Sequence, residues 1–425
     1  MIVEVAKEIL ENGYVLCDSC LGRLFGLRGY GLSNAERGKA IKTVLFLEAY
    51  KSSPRELNLK LLRSLSAGGF EPARIILSSL EGQTTVREKC HVCGGITERY
   101  EDIAAQAARE ALSYEFKTFQ FGVRLPLETL KREEELWRRY KLSDAESLKN
   151  EVTREVGKIF SRITGKEYDP EKPDLLIILD LEGDNIEMIP QPVFVCGRYR
   201  KLVRGLPQNP WPYSDDRIKY KTSIEELIAQ PAIELFQATG ARFHAGGRED
   251  IDVRTLGKGR PFVLELRRPR KRSVNLEELE RLINTRAGGL IEVEGLAYCE
   301  RRSIKTLKSL AEIARKTYRA LVTFSSPISD EDIEKINSSF NGVTVEQKTP
   351  TRVLHRRADK LRRKVVYRVE ASRVSDREIE LLIDAQGGFY IKEFIHGDGG
   401  RTNPSIAGIL GKSVERIELD VINID

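Results

Sequence analysis

Gly246-Gly247-Arg248-Glu249-Asp250-Ile251-Asp252-Val253-Arg254 leads through Gly257-Lys258-Gly259 into the apolar run Phe262-Val263-Leu264-Glu265-Leu266. A glycine pair reaches backbone conformations closed to other residues, so a short loop can turn a side chain outward just before a strand begins. Gly-Lys-Gly reads as a hairpin signal. An acidic residue beside two arginines stays ionised and can be presented to an anionic substrate. By itself, though, such a cluster most often means solvated ion pairs. Two carboxylates compete for the role, Asp250 and Asp252, which on a strand would share one face.

Two later segments bear on that choice. Lys316-Thr317-Tyr318-Arg319-Ala320-Leu321-Val322 places a tyrosine in an alternating run, and Gly388-Phe389-Tyr390-Ile391-Lys392-Glu393-Phe394-Ile395-His396-Gly397-Asp398 places a lysine after aromatic residues. Together with Arg248-Glu249-Asp250, these segments resemble, in order, the catalytic motifs of the Pus-ten family of archaeal and eukaryotic tRNA pseudouridine synthases. The resemblance covers the last two hundred residues or so. It implies an α/β (α+β) pseudouridine synthase fold built on a mixed, largely antiparallel sheet. Asp250 matches the essential aspartate of the Arg-x-Asp element, Tyr318 the active-site tyrosine that stacks on the uracil, and Lys392 the basic partner that keeps the aspartate charged. Ile391 and Leu419 match apolar pocket positions, for which a plain core position is the competing reading. Arg248 and Arg254 are the expected substrate-binding arginines, and the register sets Asp250 ahead of Asp252.

Composition is compatible with an RNA partner. The 425 residues carry 32% charged side chains and a net charge of only +6. Basic residues nevertheless gather at Arg198 to Arg204, Arg267 to Arg272 and His355 to Arg368. Such clusters suit phosphate contacts, and solvated faces are the alternative. A hydrophobic share of 40% is enough for more than one core. The start, Met1-Ile2-Val3-Glu4-Val5-Ala6-Lys7-Glu8, does not read as a signal peptide, and no uncharged run approaches membrane-spanning length, so a cytoplasmic, monomeric protein without membrane partners is expected.

In a reducing compartment, six cysteines direct attention to their spacing. Cys17-Asp18-Ser19-Cys20 and Cys90-His91-Val92-Cys93 are two C-x-x-C pairs, each able to offer two thiolates to one tetrahedral ion, so Cys17, Cys20, Cys90 and Cys93 form a candidate structural zinc site. A redox dithiol is the alternative, although one pair would suffice for it. His91 is a bystander on this reading, and Cys196 and Cys299 are core residues.

Strand and helix patterns alternate before the prolines of Leu206-Pro207-Gln208-Asn209-Pro210-Trp211-Pro212. Ser33 and Glu36 form a capping-box pattern. Ile103 to Leu112 and Val152 to Ile163 read as helices, Lys117 to Val123 and Pro173 to Asp180 as strands, and Ile186 to Leu202 as a hairpin with a basic end. This alternation resembles the family's THUMP-like accessory module. Tyr199 could stack on a base there or simply be packed, and His244 could meet a phosphate or be a structural histidine. The proline-rich stretch marks the expected boundary between residues 1–212, a zinc-binding and THUMP-like accessory domain, and residues 213–425, the catalytic domain.

The resemblance implies a tRNA substrate, with uridine 55 and also uridine 54 of the TΨC arm as targets. The reaction consumes nothing, so no organic cofactor is expected. Asp250 would attack the sugar carbon or remove a neighbouring sugar proton, and the sequence leaves both open. Two alternatives remain at this point: a non-catalytic, zinc-dependent RNA-binding protein, and a THUMP-containing tRNA methyltransferase.

Overall fold

Phe119 and Phe121 alternate with Gln120 and Gly122 and bury one face of the first strand, β1 (Thr118–Arg124). The helix Leu148–Thr164 covers that face, its Phe160 ring lying 4.7 Å from Phe119 and 5.2 Å from Phe121. The computed structural model describes residues 2–50, 57–82, 86–211 and 220–424, and the chain divides into two units, Met1–Gln191 and Pro192–Asp425.

In the first unit, β1 pairs in parallel with β2 (Glu167–Tyr168) and β3 (Leu175–Asp180), and β3 turns back into the antiparallel β4 (Asn185–Pro190). The sheet order is β2-β1-β3-β4. Parallel neighbours need a crossover, and the helices Leu127–Tyr140 and Leu148–Thr164 supply it between β1 and β3. Ahead of this module lies a helical segment. Ser33 and Glu36 form the expected capping box at the start of the helix Asn34–Ala49. That helix meets Asp18–Arg23 glycine to glycine: a Cβ on Gly38 would lie 1.9 Å from the Asp18 carbonyl oxygen, and one on Gly22 would lie 1.8 Å from that of Asn34.

The second unit is built on β5 (Val193–Lys201), β6 (Gly240–Ala245), β7 (Arg254–Arg267), β8 (Ile291–Cys299), β9 (Arg315–Phe324), β10 (Asn341–Gln347), β11 (Arg362–Ser375), β12 (Glu378–Gln386), β13 (Thr402–Asn403) and β14 (Val414–Ile424). They form one sheet in the order β13-β10-β11-β12-β9-β14-β7-β5-β8, with β6 also on β7. Every described pairing is antiparallel except β14 with β7, which spans two residue pairs, Asp420 with Arg254 and Val421 with Thr255. This is the mixed, largely antiparallel sheet expected. The short parallel seam divides two cores: Phe243, Phe262 and Leu264 lie on one side, and Ala320, Val322 and Ile383 on the other.

Three sequence expectations differ from this architecture. The proline-rich stretch is not where the units divide, because β5 hydrogen-bonds to β7 and β8 and so belongs with the second sheet. Residues 186–202 therefore hold strands of two separate sheets rather than a hairpin, and Pro212 lies outside the described residues. Gly257-Lys258-Gly259 is no hairpin either. Gly257 (φ 57°) and Gly259 (φ 69°) allow an outward loop within β7, where Thr255 faces Lys201 and Arg260 faces Tyr199. After β12 ends at Gln386, Tyr390 precedes the helix Ile391–His396.

The glycine contact between the two N-terminal helices is testable. Gly38→Ala would force a methyl group into a backbone oxygen, and overpacking of this kind costs about 1–3 kcal/mol. Amide hydrogen exchange should therefore show faster opening of Asp18–Arg23 and Asn34–Ala49, with the sheet of the second unit unaffected. Unchanged exchange would contradict the packing described.

Candidate active site

The Gly246–Val253 loop is fixed by the residue just before Asp250, Glu249, which points inward. Its carboxylate accepts hydrogen bonds from Arg260 Nε (2.7 Å) and from the Tyr199 hydroxyl (3.0 Å to Oε1), and both side chains of the ion pair are at most 2% exposed. Arg260 also donates to the Gly246 carbonyl (2.9 Å), and Gln208 donates to Tyr199 Oη (2.9 Å) and to the Gly247 carbonyl (3.0 Å). Breaking such a pair from one side strands a buried charge at a cost of about 3–5 kcal/mol, which makes this loop conformation hard to leave. Tyr199 is fully buried, so of its two readings the packed one holds.

From below, Lys201 Nζ donates to the Asp250 (3.2 Å) and Ile251 (2.7 Å) carbonyls, and Arg204 to the Asp252 (2.8 Å) and Leu419 (2.6 Å) carbonyls. Arg198 holds the Lys258, Gly259 and Ile424 carbonyls. The Arg198 to Arg204 cluster, expected to meet phosphate, is thus largely committed to the loop and its neighbours.

With Glu249 turned in, Asp250 turns out. Its carboxylate accepts a hydrogen bond from Arg352 Nη1 (3.0 Å) and lies 3.7 Å from Lys392 Nζ. Lys392 makes its hydrogen bonds to Asp252 instead, at 2.7 and 2.8 Å. Burial works against the Asp252 carboxylate, but Lys392 outweighs it and holds the group below the usual carboxylate range. Arg352 in turn bonds Glu393 (2.7 Å), whose side chain is 2% exposed. Asp250 lies in the loop, not on a strand, so it does not share a strand face with Asp252.

A cavity of about 280 Å³ opens over Asp250. Tyr318, Ile391, Leu419, Arg248 and Lys392 all line it, together with Phe389, Lys316, Arg352 and Arg357. Burial pushes the Tyr318 hydroxyl up to about 12, so at neutral pH it stays protonated. Arg254 is absent from the lining. It pairs with Asp420 (2.6 Å), which Arg204 (2.7 Å) and Arg319 (3.4 Å) also hold across the parallel seam. The residues missed in the sequence are Arg352, Glu249, Arg260 and Lys316. Arg352 lies just before the third basic cluster and carried no periodic signal of its own. His244 has a structural partner, Glu265, at 3.0 Å.

The ligand atoms of Cys17, Cys20, Cys90 and Cys93 lie within 4.8 Å of one another, all four residues buried. Cys17 caps the helix Asp18–Arg23, and Gly94 (φ 59°) and Gly95 (φ 101°) turn the chain after Cys93. The Cys17–Cys93 sulfur separation is 3.8 Å, matching the edge of a tetrahedron with bonds of about 2.3 Å. This group could hold a metal ion. A buried arginine, Arg23, sits 3.7 Å from the Cys20 sulfur and pairs with Glu133, which suits a cluster of thiolates. His91 stands outside the group, its ring against Tyr14. Cys196 and Cys299 are half-buried and free rather than core residues.

Comparison with known proteins shows the family of the chain. The family model "Pus10, C-terminal" matches residues 194–425, and "Pus10 THUMP domain, archaeal" matches residues 103–180. A protein of Thermofilum pendens named tRNA pseudouridine synthase Pus10 is 59% identical, covering 100% of this chain and 95% of its own. Relatives of the same name from Methanopyrus kandleri (40% identical, 99% and 98% covered) and Pyrococcus furiosus (38%, 100% and 98%) extend the match. A solved structure described as a Cbf5-Nop10-Gar1 complex overlaps at a TM-score of 0.28 and 16% identity, over 54% of this chain and 58% of that one, too weak an overlap to carry an argument. With one family model covering more than half its length and relatives matching it nearly end to end, the chain belongs to the Pus10 family, whose curated members bear the name tRNA pseudouridine synthase.

Proposed function

We propose that the chain converts uridine to pseudouridine in tRNA, at position 55 and also at position 54 of the TΨC arm, with Asp250 as the essential carboxylate and no organic cofactor. The observation that carries this reading is the outward Asp250 carboxylate, held by Arg352 and near Lys392, in a cleft that also presents Tyr318. The reaction breaks the N1–C1′ bond, turns the base and joins C5 to the same sugar carbon; the proton lost from C5 is balanced by one gained at N1. In either version of the Asp250 role, attack on C1′ or removal of a neighbouring sugar proton, the base leaves with the bonding electron pair. Arg352 and Lys392 act by keeping the carboxylates oriented, and Tyr318 by stacking on the uracil. Ile391 and Leu419 give the pocket its apolar walls. Arg248, exposed at the mouth, faces the RNA backbone, while Arg254 acts only through Asp420.

Reaching the base requires its extrusion from the RNA stack, which costs a few kcal/mol and must come from binding elsewhere on the molecule. The THUMP domain is the natural second contact with tRNA. Nothing in the reading requires a second copy of the chain, so a monomer acts alone. No helix among the described residues is long and apolar enough to cross a membrane. The four cysteines hold structural zinc, which would tie the segments around Cys17 and Cys90 together as a cross-link.

Unmodified tRNA transcript incubated with the protein, without added cofactor, should yield pseudouridine at positions 55 and 54. Asp250→Asn should abolish product and leave tRNA affinity within about twofold, because one carboxylate contributes little to holding a polyanion. Asp252→Asn should retain most of the activity. Substantial turnover by Asp250→Asn, with loss in Asp252→Asn, would transfer the role to the second aspartate.

Metal analysis of purified protein should find about one zinc per chain, the capacity of one four-sulfur site. Cys90→Ser should lose it and loosen the first unit, while the sheet of the second stays protected from hydrogen exchange. A metal content near zero, with all four thiols titrating freely, would refute the zinc assignment.

A further inference from the structure

Tyr318 shares its face of β9 with Lys316, two residues earlier, and both line the cleft. Lys316 is 6% exposed, and among the described residues its ammonium makes no hydrogen bond and no ion pair. Its neighbours explain why it stays unpaired. The nearest carboxylate charge is Glu249 in the Gly246–Val253 loop, whose oxygens are already occupied by Arg260 of β7 and by Tyr199. Lys364 of β11 is the other charged group acting on it, and the residues opposite it on β12 and β14, Ala385 and Ile424, carry no charge. The space above it is kept open by Gly247 (φ 96°), where a Cβ would lie 3.4 Å from Nζ. With the charges of Glu249 and Arg260 opposed, the Lys316 ammonium gives this part of the cleft a positive charge, and Lys364 adds to it from outside the lining.

We propose that the Lys316 ammonium donates a hydrogen bond to a carbonyl oxygen of the target uracil and offsets the negative charge the base acquires as its bond to the sugar breaks. The proposal rests on the Asp250 reading above. When N1–C1′ cleaves, the electron pair spreads over N1 and the two carbonyl oxygens, and it is withdrawn again when C5 bonds to C1′; the C5 proton then leaves while N1 gains one. A donor already in place and largely stripped of water stabilises that transient charge more than it stabilises neutral uracil. The position at the floor, behind Tyr318, selects the base rather than a phosphate, for which exposed Arg248 and Arg357 stand ready. Burial lowers the Lys316 ammonium to about 8, with the Arg260 charge adding to the effect, so it is mostly protonated at neutral pH and lost just above.

The test compares single-turnover rates at saturating tRNA from about pH 6 to about pH 9 for the full chain, Lys316→Met and Lys316→Arg. The unaltered protein should lose rate as pH rises through about 8. Lys316→Met removes a desolvated charge, so it should fold. Its rate should fall about a hundredfold with tRNA affinity nearly unchanged, and its alkaline decline should vanish. Lys316→Arg should keep much of the activity and stay level at high pH, since a guanidinium does not deprotonate there. Burial also lowers Lys201 to about 8, so an alkaline decline that persists in both variants would overturn the proposal by pointing to that residue. A Lys316→Met rate near that of the unaltered protein, or a loss that merely tracks tRNA affinity, would overturn it as well. Asp250→Asn assayed alongside separates the two readings. Turnover by that variant removes the Asp250 role, whereas an inert Asp250→Asn beside an unimpaired Lys316→Met removes only the Lys316 assignment.

Discussion

The site depends on the buried pair between Glu249 and Arg260. Two opposite charges out of water tolerate few geometries, because each must keep its partner and its remaining hydrogen bonds. Tyr199 and the Gly246 carbonyl supply those bonds, and Gln208 holds the Tyr199 hydroxyl and the Gly247 carbonyl, so the chain direction through Gly247, Arg248 and Glu249 is fixed. Glu249 turned inward leaves Asp250 facing the cleft. The loop is thereby held as firmly as a strand, and the direction of the Asp250 side chain with it.

A second constraint acts where β14 meets β7. Two residue pairs of parallel ladder are a thin join between the halves of a large sheet, and Asp420 reinforces it by accepting bonds from Arg204, Arg254 and Arg319. The cleft opens over this seam, drawing Val253 and Asp250 from one side and Tyr318, Leu419 and Lys392 from the other. Irregular junctions in a sheet leave room that continuous pairing would fill. Arginines that look like RNA contacts in the sequence are partly used here, inside the protein.

The first unit shows the same economy around its cysteines. Glycines at positions 22 and 38 let two helices touch, which carries Cys17 and Cys20 on a rigid element, and positive φ at Gly94 and Gly95 closes the turn after Cys93. Two pairs more than sixty residues apart in sequence thereby converge on one buried point.

What the sequence alone determined was local and periodic. The C-x-x-C pairs, the Ser33–Glu36 capping box, the strand around Tyr318 and the helix over Val152 to Ile163 were legible, because each depends on residues a few positions apart. Similarity of Arg248-Glu249-Asp250, the Tyr318 strand and the Lys392 segment to a known family supplied the sheet's mixed character and the residues of the cleft. What only the tertiary structure decided was partnership across distance. Tyr199 and Arg260 meet Glu249, Arg352 meets Asp250, and Arg254 turns to Asp420 rather than to the cleft. The basic strand Val193–Lys201 joins the second sheet rather than the first unit. No spacing rule encodes these, since a buried charge selects its partner by the geometry of the folded chain and by what water it has lost, and both exist only once the sheet has formed.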